Sequence, residues 1–160
     1  MTTTIRAARP SDSATILGFV RELAAFEREP DAVHATEPML AEALFGEHPA
    51  AEAVIAERDG MAIGFALFFA NFSTWTGGRR GLYLEDLYVT PTARGGGVGK
   101  ALLVHLAGIA RDRGWARFEW SVLDWNTPAV EFYRAMGAQP MAEWTVQRVS
   151  GEALEKLAGR

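Results

Sequence analysis

Residues 83–100 read Y-L-E-D-L-Y-V-T-P-T-A-R-G-G-G-V-G-K. An apolar strand pattern carrying two carboxylates, Glu85 and Asp86, runs into Thr90, Pro91 and a glycine turn, and helical periodicity begins straight after it. Three adjacent glycines, Gly95, Gly96 and Gly97, let successive backbone N–H groups point inward without Cβ interference. The helix that follows aims its free N–H groups and positive dipole end into the same space. A phosphate fits such a turn, and Arg94 and Lys100 bracket it with positive charge. Two familiar phosphate loops fail to match. G-x-x-x-x-G-K-[ST], counted back from Gly99-Lys100, puts Arg94 at its first glycine and Ala101 at its hydroxyl, and G-x-G-x-x-G started at Gly95 puts Lys100 at its last glycine. The pattern that does fit is R-x-x-G-x-G, with Arg94, Gly97 and Gly99. Taken alone, those six residues suit an ordinary glycine-rich turn as well as a phosphate loop.

Upstream lies a hairpin pattern: residues 53–58 and 61–70 are apolar and β-prone, separated only by Asp59-Gly60. A polar, glycine-rich link over 71–80 leads to the strand at 81–89; Trp75 in it is either an exposed aromatic near substrate or, as preferred, a lid over the core edge. Residues 3–8 predict a short strand. Ser11 is then expected to cap a helix with Ile16, Val20 and Leu23 on one face, ending at Glu27, Glu29 and Pro30. Thr36 caps a second short helix, with Met39, Leu40, Ala43 and Leu44 expected inward.

Downstream of the turn, Val98, Leu102, Leu106 and Ile109 form one helical face that stops at Gly114. Residues 117–122 predict a strand. Thr127 and Pro128 then begin a short helix that runs to Met136, with Ala129, Phe132 and Met136 inward, Tyr133 just off that stripe and Gly137 closing the end. Residues 138–150 predict one or two closing strands around Trp144, and a small helix finishes the chain. The fold class is α/β (α+β), a mixed sheet covered by helices.

At 160 residues the length fits one domain over 1–160, and 49% apolar with 22% charged residues is ordinary for a globular protein. A net charge of −4 and the lack of a basic run argue against nucleic acid and anionic membrane as partners and favour a cationic substrate. The absence of cysteine excludes disulfides, thiolate catalysis and cysteine metal sites. The three histidines are widely separated, so no metal is expected. With no apolar N-terminal run and no membrane-length stretch, the expected location is cytoplasmic.

The R-x-x-G-x-G turn is similar to the pyrophosphate loop of the GNAT N-acetyltransferase superfamily. Four longer blocks resemble one branch of it, the diamine (spermidine/spermine) and thialysine acetyltransferases: R-E-L-A-A-F-E at 21–27, F-G-E-H-P at 45–49, Y-L-E-D-L-Y-V at 83–89 and W-N-T-P-A-V-E-F-Y-R-A-M-G-A at 125–138. These blocks span most of the chain. The resemblance implies a GNAT fold, in which a mixed, mostly antiparallel central sheet is flanked by helices and two central strands splay apart. It also implies acetyl-CoA as cosubstrate, a small-molecule amine as acceptor, and a homodimer.

What the resemblance implies for individual residues follows the needs of the reaction. The backbone of Leu87, Tyr88 and Val89 would meet the pantetheine arm; Arg94, Gly95, Gly96, Gly97, Val98, Gly99 and Lys100 would hold the pyrophosphate; Asn126, Pro128 and Ala129 would meet the cofactor at the later helix start. An amine of pKa near 10 must lose a proton before it attacks. Glu85 is the implied base, through water, and Glu27 and Asp86 would bind the cationic chain. Glu119 and Trp120 stand at substrate-side positions but differ in type from the family's residues there. Tyr133 would protonate the departing thiolate. By the strand period of two, Glu85 and Asp86 face opposite sides unless the strand ends or bulges. Arg79 and Arg80 would repel a polyamine and could receive a substrate carboxylate, which favours a thialysine- or lysine-like amino acid. The alternatives are a non-catalytic acyl-CoA or polyamine sensor and a protein N-acetyltransferase.

Overall fold

The computed structural model describes residues 2–159 and divides into two compact units, one reaching to Ser121 and one from Val122 onward. The first holds a five-stranded sheet in the order β1 (Thr3–Ala7), β2 (Glu52–Arg58), β3 (Met61–Phe72), β4 (Arg80–Val89) and β5 (Phe118–Trp120). The first four strands pair antiparallel; β5 pairs with β4 in parallel. The parallel pair is connected through α3 (Val98–Asp112), as a parallel connection requires. Between β1 and β2 run α1 (Ser13–Phe26) and α2 (Glu37–Phe45).

Alternation along the strands builds two cores. Ala53, Ile55, Phe65, Leu67 and Tyr88 pack with Ile16 and Phe19 of α1 and Leu44 of α2. The alternate positions Val54, Ala56, Ala66 and Phe68 are equally buried, as are Leu102 and Leu106 on the stripe of α3. The Asp59-Gly60 turn has φ of 53° and 77°, the left-handed pair that a two-residue hairpin prefers. Gly114 ends α3 as expected: its N–H donates to Arg111 O and that of Trp115 to Ala110 O.

Several local expectations are corrected. Ser11 does not cap α1; it lies in a 3-10 turn, Pro10–Asp12, where the Asp12 carboxylate accepts from Arg9 N–H at 2.6 Å and from Arg6. Asp12 stands at the cap position of α1, but its carboxylate is turned to Arg6 and Arg9 and makes no cap hydrogen bond to the helix. Thr36 caps α2 as read, accepting from Met39 N–H, but Met39 is exposed, because α2 is short and buries only Leu44 fully. Trp75 is 76% exposed and does not seal the core edge.

The second unit contains α4 (Thr127–Ala135) and α5 (Gly151–Leu157). Asn126, and not Thr127, occupies the cap position of α4, while Gly137 closes it: Gly137 N–H donates to Arg134 O and Ala138 N–H to Tyr133 O. Residues 138–150 form no strand, contrary to the one or two closing strands expected around Trp144. Alternation supplies a face, whereas a strand also needs a ladder partner. No described helix is long and apolar enough to cross a membrane.

Candidate active site

Strand β4 carries the irregularity that makes the site. Leu84 pairs with Phe68 and Asp86 with Leu67, so Glu85 is an extra residue opposite no one. Such a bulge shifts the pleat by one. Leu84 shares its face with Phe68, whereas Asp86 and Tyr88 lie across from Leu67 and Phe65 of the α1 core. Glu85 and Asp86 consequently both line a cleft of about 370 Å³. Val20, Leu23, Ala24 and Glu27 of α1 form one wall, and residues Ala32 to Ala35 another.

The end of α1 is shaped to make room. Arg28 adopts φ 65°, and the turn closes through Arg28 N–H to Ala25 O and Glu29 N–H to Ala24 O. Glycine usually fills this left-handed position; an arginine there costs roughly 1–2 kcal/mol. Strain of this kind beside Glu27 is what site geometry tolerates. Glu27, Glu85 and Asp86 then act on one another. Burial first, and the charges of Glu85 and Glu27 second, push the Asp86 carboxyl up to about 6. Burial and the Glu85 charge likewise raise Glu27. A cleft holding three mutually repelling carboxylates attracts a cation and can take its proton.

The bulge also marks where the sheet opens. β5 pairs with β4 only from Leu82 to Leu84, so from Glu85 to Val89 that side of β4 has no strand partner among the described residues. The backbone N–H and C=O groups on that edge of β4 are therefore not used in a ladder with β5. At the end of β4, Gly95 and Gly97 both have φ 80°, and Gly97 stands at the cap position of α3 with no side chain capping it. The first N–H groups of α3 are therefore free to meet an anion. Arg94 folds back from the loop: its Nε donates to Val89 O at 2.9 Å, and its guanidinium stacks 5.4 Å from the Phe26 ring and 5.5 Å from the Tyr88 ring. Opened edge, glycine cradle and helix N-terminus fit an extended ligand ending in phosphates.

The Acetyltransferase (GNAT) family pattern matches residues 18–138. The chain belongs to the GNAT acetyltransferase family. A Mus musculus thialysine N-epsilon-acetyltransferase is 40% identical, covering 99% of this chain and 98% of that protein. An Arabidopsis thaliana L-ornithine N5-acetyltransferase is 38% identical over 69% of this chain and 49% of its own length. Among solved structures, a V. cholerae integron cassette protein superposes with a TM-score of 0.83 at 30% identity, over 100% of this chain and 99% of the other. The enzyme is an amine N-acetyltransferase, and its family uses acetyl-CoA.

Within the first unit of this acetyltransferase, Glu27, Glu85 and Asp86 come together in the cleft, and Leu87, Tyr88 and Val89 lie along the opened edge. Glu119 and Trp120 lie outside the cleft lining: they pair with Tyr83 and Leu84, and the Glu119 carboxylate accepts from Asn71 Nδ2 at 3.4 Å. Arg79 and Arg80 do not face the acids. Arg79 lines a separate cleft with Arg111 and Arg117, and Arg80 opens β4, roughly 17 Å along the strand from Glu85. In the second unit, Asn126, Pro128 and Ala129 form the start of α4, and Tyr133 is half-buried on it. Sequence reasoning missed the wall Ala32 to Ala35, His34 included. The segment lies between two helices and carries no periodicity or motif that announces a wall.

Proposed function

We propose that the enzyme acetylates the side-chain amine of a small amino acid of the thialysine, lysine or ornithine kind, with acetyl-CoA as donor. The observation that carries this reading is the bulge that puts Glu85 and Asp86 in one cleft with Glu27. The names of the mouse and Arabidopsis relatives favour an amino acid over a polyamine. Arg79 and Arg80 no longer supply that argument, because neither lines the cleft.

Acetyl-CoA supplies the acetyl thioester when bound. The resemblance implies Glu85 as the base; the cleft geometry favours its neighbour. Glu27 and Glu85 attract the substrate ammonium, and Asp86, whose carboxyl burial pushes up to about 6, accepts its proton directly or through water with Glu85. The freed amine nitrogen attacks the acetyl carbonyl carbon; the C–N bond forms as the C–S bond breaks, Tyr133 Oη gives its proton to the leaving sulfur, and the proton shed by the acylated nitrogen restores the phenol. The role of Tyr133 is supported by the family resemblance of its F-Y-R context. The glycine loop from Arg94 to Lys100 holds the pyrophosphate, and Asn126, Pro128 and Ala129 meet the cofactor beside α4. Residues 1–160 act as one acetyltransferase domain of a cytoplasmic homodimer. Exposed Met141, Trp144 and Val146 in the strandless stretch of the second unit support a partner surface.

Thiol release from acetyl-CoA across thialysine, lysine, ornithine, spermidine and a peptide tests the reading, with Tyr133→Phe beside the wild type. Turnover of an amino-acid amine in preference to spermidine, strongly slowed in the variant, is the expected result. Binding of acetyl-CoA without turnover of any amine would favour the sensor instead.

A further inference from the structure

Arg58 has no part in the site described above. It is the last residue of β2, and the hairpin register carries it to the end of the sheet where β4 passes into the glycine loop. One terminal nitrogen, Nη2, donates to Thr3 Oγ1 at 3.0 Å. Its Nε is buried and has no hydrogen-bond partner. A guanidinium nitrogen is an obligate donor, and leaving one without an acceptor is unfavourable. The charge is uncompensated as well. Adjacent Glu57 is engaged by Arg6, and no ion pair among the described residues includes Arg58. What Arg58 does approach is the loop: a Cβ built on Gly96 would lie 3.6 Å from Arg58 Nη2. The guanidinium sits directly behind the middle glycine of the three.

We propose that Arg58 belongs to the phosphate site as a fixed positive charge behind the glycine loop, stabilising the pyrophosphate that the loop N–H groups hold. This rests on the loop reading given above. Backbone N–H groups alone bring partial charges; a whole charge in a partly buried position acts over several ångströms with little screening. The side chain is already ordered by Thr3, so little rotamer freedom is lost when the anion arrives. Because Nε is buried, Arg58 works through the loop and its field. It is a positioning residue.

Calorimetric titration with CoA, which cannot turn over, tests this on the full chain. Arg58→Ala is expected to weaken CoA by about tenfold or more, Arg58→Lys to retain most of the affinity, and the salt dependence of Arg58→Ala to be shallower than that of wild type. The melting midpoint of the ligand-free Arg58→Ala protein is expected not to fall, because the variant removes an unsatisfied buried donor. The same loss is expected with 3′-dephospho-CoA, which keeps the pyrophosphate. CoA affinity of Arg58→Ala within about twofold of wild type, or a loss that disappears with 3′-dephospho-CoA, would overturn the proposal. So would a lowered midpoint with affinity unchanged. Gly97→Val separates the two claims: if it abolishes CoA binding while Arg58→Ala does not, only the Arg58 proposal fails. If Gly97→Val binds CoA like wild type, the loop reading fails and takes the proposal with it.

Discussion

Glu85 and Asp86 are consecutive in β4 and yet line one cleft, because the ladder skips Glu85 between the Leu84–Phe68 and Asp86–Leu67 pairs. One inserted residue thus does two things. It gathers the acids against Glu27, and it lies where β5 leaves β4 and the strand edge opens.

The charge of Glu85 contributes to raising Asp86, so removing it must lower Asp86. In Glu85→Gln the acid limb of kcat/KM is expected to move to lower pH than in wild type, and Glu27→Gln to move it the same way by less. A pH–rate profile of the two variants checks this, and an unmoved limb would separate Asp86 from the titration.

Asp86 also destabilises the fold where it is charged. Its folded pKa, about 6, is above its ordinary value of 3.8, so its relative contribution favours the fold at low pH and is lost as pH rises through 6. Asp86→Asn is therefore expected to be more stable than wild type at pH 8 by about 1–3 kcal/mol, an advantage that shrinks as pH falls toward 4. Urea unfolding at several pH values measures it.

Arg6 couples the β1 end to the turn before α1 by bonding Asp12 and Glu57 together. The guanidinium holds Asp12 below its usual carboxylate range. That stabilisation is present above the ordinary Asp pKa and is lost as pH falls through the depressed one. Asp12→Ala is expected to cost about 2–3 kcal/mol at neutral pH, since it also frees Arg9 N–H, with the difference from wild type shrinking in acid.

Phe26 reaches the cofactor side through Arg94, whose guanidinium lies over its ring. Phe26→Ala is expected to raise KM for acetyl-CoA several-fold, consistent with about 0.5–1 kcal/mol for an exposed cation–π contact, with little change in kcat. Phe26→Tyr is expected to retain wild-type values.

The hairpin at Asp59-Gly60, the stripe of α3 and the glycine caps at Gly114 and Gly137 were legible because each depends on local chemistry alone. The acids of the site were legible as residues, but the strand period placed them on opposite faces, and only the ladder with β3 reveals the bulge. Residues 138–150 show the reverse case: they were expected to form closing strands, but a ladder partner is not written in the segment itself. The distance of Arg79 and Arg80 from the acids is likewise a matter of strand length that charge type does not convey. The roles of Arg58 and of the wall at Ala32 to Ala35 are written in no motif, since they arise from what the fold sets beside them.

The central claim is that Asp86, in the cleft made by the Glu85 bulge, takes the proton of the amine. Measuring kcat/KM for thialysine against pH in wild type and Asp86→Asn tests it most directly. The account predicts an acid limb near pH 6 in the wild type, and a loss of about 10²–10⁴-fold in the variant at neutral pH with that limb abolished. A variant that keeps wild-type kcat/KM and the same acid limb would contradict it.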